Sequence, residues 1–422
     1  MAHTKLKFVR VLPAKVHLRV SRVARATRRV SVLWLLIGAF VGVSGSEAAR
    51  RKGFDRAMFH DALDVVFDRY VERVEEPQAL RSALDGVVSN LDPYSYVLDP
   101  EHARQDRGVS DDARVDGVGA AFVLRREARE AARIEVAFVR RETPAARAGM
   151  RSGDEVLSID DRDASTFGHQ GRLDNYLRSP KGDDLRVRVR GRGGGSLRTI
   201  TLERVRMDPP ELVETSVVTV GAKTLVWVRI RTFLGGTQLA VEKTIDKYRR
   251  DDSLKIDGWV LDLRGNPGGA VDEAIGVADL FLSEGVITRF RGRGGQIIRQ
   301  ERASAASSDV QEPVALLQDR YTASAAELLV TALRSADRAV VLGERSFGKG
   351  SVQEMIGLED GSKIRLTVAH YYGPEDQLIH GEGVRPDFML GLTAMEQDSF
   401  PREIRDALFI RAEQSRAKAL SN

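Results

Sequence analysis

The chain has 422 residues, of which 42% are hydrophobic and 30% charged, a composition typical of a folded protein with room for more than one core. It has no cysteine, which excludes disulfides, thiolate catalysis and cysteine metal sites. The formal charge is +4, but residues 1–29 hold nine Lys and Arg residues and no acid, so the remainder of the chain is net acidic. The basic charge therefore belongs to the leader, and it gives no reason to expect nucleic-acid binding by the body.

The N-terminal segment has the three-part pattern of a secretory signal. An uncharged apolar run at 30–43 follows the basic stretch, and small residues come next at 44–49. Since a membrane-spanning helix needs about 20 residues, the run is short for a permanent anchor. We therefore expect a signal peptide over 1–49 and an exported, periplasmic protein, while an uncleaved membrane tether stays open. Arg28 and Arg29 give a weak hint of a twin-arginine signal.

After the leader, the pattern of apolar residues divides the chain into three parts. Two stripes at helical spacing over 54–90, separated by Pro77, predict a helical pair that packs on the body or forms a dimer contact. Residues 116–206 predict strands and turns, and the alternation at 185–190 predicts a strand with one buried face. From about 211 to 390, strands alternate with helices, which predicts α/β layering.

Ser324 is the candidate nucleophile. It opens a helix after a predicted strand, where the first helical N–H groups have no partner inside the helix. The N–H of Ala325 is therefore free to bind a developing oxyanion, and the glycine-rich turn can supply a second donor from Gly268 or Gly269. Taken alone, Ser324 is better explained as a helix N-cap.

Lys349 changes that interpretation because it can act as the base. A lysine at its usual pKa of about 10.4 is protonated at neutral pH and cannot accept a proton. Burial between the apolar residues Phe347 and Val352 would lower this pKa by disfavouring the ammonium, and Gln353 could orient the amine. Such a serine–lysine pair cuts acyl bonds without histidine, metal or cofactor, so none is expected. The alternative is an ordinary solvated lysine.

Other catalytic motifs fit the sequence less well. The residues from Gly343 to Lys349 match the beginning of a phosphate-binding loop, but Gly350 stands where serine or threonine should hold magnesium, and strands follow where a helix is required. None of the seven histidines has a paired metal spacing, and no G-x-S-x-G elbow occurs. For His370 and His380, surface or packing roles are favoured, and a substrate contact stays open as the alternative.

With these residues identified, the chain resembles the C-terminal processing peptidases, also called tail-specific proteases. The resemblance covers residues 55–390, and the motifs occur in the family's order. Ser324, Lys349 and Gln353 fall on the family's nucleophile, general base and orienting glutamine. The other matching segments are Leu91–Ser95, Gly117–Gly119, Thr143–Asp154, the oxyanion turn within Leu261–Gly269 and the closing strand Gly381–Asp387.

The resemblance implies an α/β catalytic core with a mixed sheet and crotonase-like layering, a small β-rich PDZ domain and an N-terminal helical segment. Gly117, Val118, Gly119 and Ala120 are implied to bind the carboxylate of a substrate tail, beside a strand edge that pairs with an extended peptide and a helix around 173–177. The implied boundaries are 1–49 for the signal, 50–103 for the helical segment, 104–207 for the PDZ domain, 208–395 for the peptidase core and 396–422 for a C-terminal helix.

The sequence therefore predicts an exported serine endopeptidase that cleaves protein C-terminal regions with a Ser–Lys dyad, while the PDZ domain holds the substrate's free C-terminus. An inactive PDZ adaptor that only binds tails is the alternative from another class. An acyl transferase of the penicillin-binding kind would need S-x-x-K, and no lysine follows Ser324 at that spacing. The expected partners are proteins or peptides, not nucleic acid, and a homodimer stays open. The sequence departs from the family's pattern at 319–323, at His370 and at the acidic segment 373–376. These departures leave the catalytic residues intact and the substrate preference open.

Overall fold

The structure is a computed structural model, and it describes residues 54–105, 115–125, 132–140, 142–178, 184–207, 211–305, 310–390 and 404. The predicted signal segment 1–49 lies outside the described residues, and so does the predicted helix over 396–422 apart from Ile404. Contacts divide the chain into residues 1–79 and residues 80–422. Among the described residues, no helix is long and apolar enough to cross a membrane.

Two helices occupy the segment with the two apolar stripes. α1 (Arg56–Arg69) begins after Asp55, whose carboxylate accepts the N–H of Met58 at 2.9 Å and so caps the helix. α2 (Glu76–Ser89) has Pro77 in its first turn. Backbone N–H groups there have no acceptor within the helix, so the N–H that proline lacks costs no hydrogen bond. Pro77 therefore marks the beginning of the second helix.

The β-rich part of the chain is built mainly from short antiparallel strands. β1 (Tyr96–Leu98) and α3 (Pro100–Gln105) come before this part in the chain. Its strands are β2 (Val115–Gly117), β3 (Ala120–Arg125), β4 (Arg133–Val139), β5 (Glu155–Ile159), β6 (Arg162–Asp163), β7 (Leu185–Arg190), β8 (Leu197–Leu202) and β9 (Val205–Met207). Its helices are α4 (Pro144–Arg147), between β4 and β5, and α5 (Gln170–Arg178), between β6 and β7. The main sheet has the order β3-β4-β5-β7-β8, and β2 pairs with β9. Leu185, Val187 and Val189 are fully buried, which confirms the predicted buried face of β7.

The remaining part is a core of helices and strands on a mainly parallel sheet. It contains β10 (Glu214–Val220), β11 (Lys223–Arg229), α6 (Thr237–Arg249), β12 (Gly258–Asp262), α7 (Val271–Asp279), β13 (Val286–Arg291), β14 (Ile297–Arg302), β15 (Val314–Gln318), α8 (Ala325–Ser335), β16 (Ala339–Gly343), β17 (Ser351–Gly357), β18 (Lys363–Tyr372) and β19 (Phe388–Met389). The sheet order is β10-β11-β12-β15-β16-β19, with only β10 antiparallel to its neighbour. A further sheet contains β1, β18, β13 and β14, with β17 paired to β18. The predicted α/β layering is confirmed as a mixed α/β fold.

The central strands explain where the site forms. β12, β15 and β16 are buried along their whole length, as expected for parallel strands covered on both faces. Because the three strands are neighbours and parallel, their carboxyl ends lie at one edge of the sheet, with Asp262 opposite Leu317 and Leu317 opposite Leu342. The segments that follow these strands are thereby brought together.

Candidate active site

Three predicted site segments follow the carboxyl ends of three neighbouring strands. The glycine turn 265–269 follows β12, Ser324 follows β15, and Lys349 follows β16. The carboxylate of Asp319 links the first two segments, because it accepts the N–H groups of Gly265 and of Thr322, each at 3.0 Å. The topology therefore explains why residues far apart in sequence share one place.

Ser324 is held in an unusual backbone conformation at the beginning of α8. Its φ is 58° and its ψ is −124°, a region that non-glycine residues rarely adopt. The N–H of Ser324 donates to the carboxylate of Glu327 at 2.9 Å, and the N–H of Ala323 donates to the carbonyl of Asn266 at 2.9 Å. These bonds hold the strained residue in place.

The glycine turn lies directly against Ser324. A Cβ placed on Gly268, whose φ is 99°, would lie 2.6 Å from the Cβ of Ser324 and 2.9 Å from the nitrogen of Ala325. The N–H of Gly268 donates to the side chain of Asn266 at 2.8 Å. Within the described part of the chain, the N–H groups of Gly269 and Ala325 have no hydrogen-bond partner. Of the two predicted glycine donors, Gly269 is the one left available to an oxyanion.

Lys349 lies in a largely buried environment. Burial and the positive charge of Arg365 lower the pKa of Lys349 to about 8, while the charges of Asp174 and Glu327 act in the opposite direction. Its Nζ lies 5.0 Å from the centre of the Tyr94 ring, within cation–π distance for the charged form. A lysine with this pKa keeps an appreciable neutral fraction near neutral pH, as a general base requires.

Glu327 contacts both loops of the site and was not identified from the sequence. Its buried carboxylate accepts hydrogen bonds from the Ser346 hydroxyl at 2.5 Å, the Gly348 N–H at 2.6 Å and the Lys349 N–H at 2.8 Å, besides that from Ser324. Burial raises the pKa of Glu327, and these hydrogen bonds oppose the rise. The available signal was the S-x-x-E spacing from Ser324, which is the pattern of a helix capping box.

The Ser324 hydroxyl and the Lys349 amine do not meet directly. Of the hydrogen bonds among described residues, none joins these two groups. The phenol of the buried Tyr371 donates to the backbone carbonyl of Lys349. Burial raises the pKa of Tyr371 well above its usual value, and a hydrogen bond with Ser324 opposes the rise. Tyr371 therefore binds the backbone of Lys349 and interacts with the side chain of Ser324.

Gln353 lies in a polar row that joins β17 to β18. Its amide donates to the hydroxyl of Ser351 at 2.8 Å and to that of Thr367 at 3.3 Å. The N–H of Thr367 in turn donates to the hydroxyl of Ser95 at 3.1 Å. In the described residues, no hydrogen bond joins the Gln353 amide to Lys349, so its orienting role stays a prediction.

The predicted carboxylate loop runs from Gly117, the last residue of β2, to Ala120, the first residue of β3. Its carbonyls bind the segment that follows β4: that of Val118 accepts the N–H of Ala145 at 3.0 Å, and that of Gly119 accepts the N–H of Arg140 at 2.8 Å. Gly119 has a φ of 80°, and a Cβ there would overlap the side chain of Thr143. The loop therefore needs glycine for both its backbone conformation and its close approach to this segment.

Arg125, at the end of β3, contacts the segments that precede the serine and the lysine. Its guanidinium donates to the carbonyl of Arg320 at 3.0 Å and pairs with the carboxylate of Glu135 at 3.2 Å. It also lies 4.8 Å from the centre of the Phe347 ring and 5.8 Å from that of Tyr321. The end strand of the β-rich part is therefore in direct contact with the candidate site.

Two histidines lie close to the site. The rings of His370 and His380 have centres 4.4 Å apart. Burial lowers the pKa of His380, and the charges of His370 and Lys349 lower it further. Across the described ranges, no group of three or more His, Asp and Glu side chains is arranged to hold a metal ion. Burial of His380 agrees with the favoured packing role, and a substrate contact by either histidine stays an untested alternative.

Comparison with known proteins relates this arrangement to a protease family. Residues 224–390 match the model of peptidase family S41. The carboxy-terminal-processing protease of Bartonella bacilliformis is 31% identical over 347 residues, covering 79% of this chain and 74% of that protein. The carboxy-terminal processing protease CtpB of Bacillus subtilis is 28% identical over 349 residues, covering 81% and 68%. The solved photosystem II D1 C-terminal processing protease has a TM-score of 0.67 at 26% identity, covering 79% of this chain and 87% of that one. On this evidence, the chain belongs to the carboxy-terminal processing proteases of peptidase family S41.

Proposed function

We propose that this chain is an exported serine endopeptidase that cleaves proteins in their C-terminal regions, with Ser324 as nucleophile and Lys349 as base. The observation that carries the proposal is the convergence of the serine, the glycine turn and a lysine of lowered pKa at the ends of adjacent strands. An acyl-cutting serine needs a base and oxyanion donors, and these three segments can supply them. Family membership supports protein substrates.

In the proposed reaction, neutral Lys349 takes the proton of the Ser324 hydroxyl while Oγ attacks the scissile carbonyl carbon. The N–H groups of Ala325 and Gly269 stabilise the oxyanion. When the tetrahedral intermediate collapses, the C–N bond breaks and the Lys349 ammonium donates its proton to the leaving amine. Water then attacks the acyl-serine with Lys349 again as base, which releases the carboxyl product and restores the serine.

The proposed proton transfer needs the Lys349 amine to approach the Ser324 hydroxyl. Before that approach, Tyr371 is hydrogen-bonded to the backbone carbonyl of Lys349 and interacts with the side chain of Ser324. We assign the rearrangement to substrate binding, since many enzymes complete their catalytic contacts only when the substrate closes the site. In this proposal, Gln353 orients the amine after it has moved.

Residues 104–207 are proposed to form a PDZ domain that holds the substrate tail. Three observations support this: an antiparallel sheet whose end strand is β3, a glycine loop directly before β3, and α5 close to the same strand. An added strand on β3 would place its terminal carboxylate at the loop. The proposed organisation is completed by a signal over 1–49 that directs export to the periplasm, a helical segment over 50–103, a core over 208–395 and a helix over 396–422.

The test compares Ser324→Ala, Lys349→Ala and Lys243→Ala, the last being an exposed lysine of α6 that serves as a control. Each full chain is assayed by cleavage of an unstructured peptide with a free C-terminus. Ser324→Ala removes the nucleophile and is expected to abolish cleavage. Lys349→Ala is expected to lose at least about a hundredfold in rate, the usual contribution of a general base, and Lys243→Ala none. Full activity in either of the first two would contradict the proposal. Tail binding without turnover by the unaltered chain would favour the inactive PDZ adaptor.

A further inference from the structure

Among the described residues, no strand is paired with the outer edge of β3. β3 is the end strand of its sheet, and among the described strands it pairs only with β4. The carbonyl of Gly119 accepts the N–H of Arg140, just after β4, so it faces β4. Because successive residues of a strand direct their N–H and C=O groups to opposite sides, those of Ala120, Phe122 and Leu124 face the outer edge. These are the groups that an extended peptide would bind.

The side chain of Gln170, the first residue of α5, is hydrogen-bonded to this edge. Its Oε1 accepts the N–H of Leu124 at 2.8 Å, and its Nε2 donates to the carbonyl of Phe122 at 2.8 Å. One backbone N–H and one backbone carbonyl of the edge are therefore hydrogen-bonded, as they would be if another strand were paired there. Nε2 also donates to the carboxylate of Asp174 at 2.8 Å, which ties the amide to its own helix.

We propose that Gln170 limits how far a substrate tail can pair with β3, and thus acts as a gate on tail length. This inference rests on the proposed tail-binding function of residues 104–207. With Gln170 in place, a tail can use the edge only from Ala120 to the N–H of Phe122, next to the carboxylate loop. A tail that pairs as far as Leu124 must first displace the amide and break its two hydrogen bonds with the edge.

The test measures the affinity of fluorescent peptides of increasing length for the full chain carrying Ser324→Ala, which prevents turnover. Gln170→Ala is expected to bind long tails about tenfold more tightly and short tails unchanged, because two competing hydrogen bonds are removed. Gln170→Met keeps the length of the side chain without either bond, and the same gain is expected. Arg172→Ala, an exposed residue of the same helix, is the control and should change neither affinity.

The outcomes separate the gate from the function on which it rests. If peptides with free and with amidated C-termini bind equally well, tail binding itself is wrong. If a free C-terminus is required but both Gln170 variants leave long-tail affinity unchanged, the gate is wrong and tail binding stands. Weaker binding of long tails by these variants also overturns the gate, since Gln170 would then be a ligand contact. Thermal unfolding checks that each variant is folded. If Gln170→Ala does not fold, the long-tail affinity of Gln170→Met decides whether the gate exists.

Discussion

The carboxylate of Glu327 accepts the backbone N–H of Lys349 at 2.8 Å, although 22 positions separate the two residues in sequence. The same carboxylate accepts the N–H of Ser324 at 2.9 Å. One buried side chain therefore ties the backbone of the candidate nucleophile to that of the candidate base. Glu327 therefore helps to set the distance between the segment that holds Ser324 and the loop that holds Lys349.

Glu327→Gln is expected to lower both kcat and stability. An amide has one acceptor oxygen, and its NH2 group would face N–H donors, so buried donors lose their partners. Each unpaired buried donor costs about 1–3 kcal/mol, so the free energy of unfolding should fall by at least about 2 kcal/mol. Denaturant unfolding and steady-state kinetics measure the two effects. The control is Glu354→Gln, an exposed residue of β17, and an unchanged kcat in Glu327→Gln would contradict the positioning role.

The rate of peptide cleavage is expected to rise with pH through an apparent pKa of about 8, that of Lys349. The neutral amine is the reactive form, and the ammonium predominates below this pKa. kcat/KM should therefore fall about tenfold per pH unit on the acidic side. A pH profile with a peptide that has no titrating side chain measures this limb. A rate that stays constant down to about pH 5 would show that another group is the base.

Two charge substitutions are expected to shift that acidic limb in opposite directions. Arg365→Gln removes a positive charge that lowers the pKa of Lys349, so the limb should move to higher pH. Asp174→Asn removes a negative charge that raises this pKa, so the limb should move to lower pH. Arg345→Gln, at an exposed arginine, is the control. Shifts of the same sign in Arg365→Gln and Asp174→Asn would refute the assignment of the limb to Lys349.

Gly268→Ala is expected to displace the neighbouring oxyanion donors and so to reduce activity by about a hundredfold or more, the usual effect of losing one such donor. The new Cβ would lie 2.6 Å from the Cβ of Ser324, and a φ of 99° is strained for alanine. Gly235→Ala is the matched control, because no heavy atom lies within 4 Å of a Cβ at that position. Peptide cleavage and thermal unfolding are compared for both variants. Near-normal cleavage by a folded Gly268→Ala chain would place the oxyanion donors elsewhere.

Local sequence pattern was sufficient to predict the layering and to select the candidate site segments. β12, β15 and β16 are almost unbroken apolar runs, which suit strands buried on both faces, and helices alternate with them. Ser324 and Lys349 could be recognised because each follows such a run in a setting with a chemical meaning, a helix start and a glycine-flanked loop.

Contacts between the segments could not be predicted in the same way. The S-x-x-E spacing marks Glu327 as a capping residue, but its bonds to Ser346, Gly348 and Lys349 require β16 to lie beside β15. Gln353 was expected to orient the amine, whereas its described hydrogen bonds go to other side chains.

By itself, the sequence determined which segments form strands, helix starts and glycine turns, because these depend on local periodicity and backbone preference. Only the tertiary structure decided which of them meet: Gln170 with the edge of β3, Glu327 with two loops, and Tyr371 with both Ser324 and Lys349. Such contacts depend on sheet order and side-chain packing between residues distant in the chain, and no local pattern encodes them.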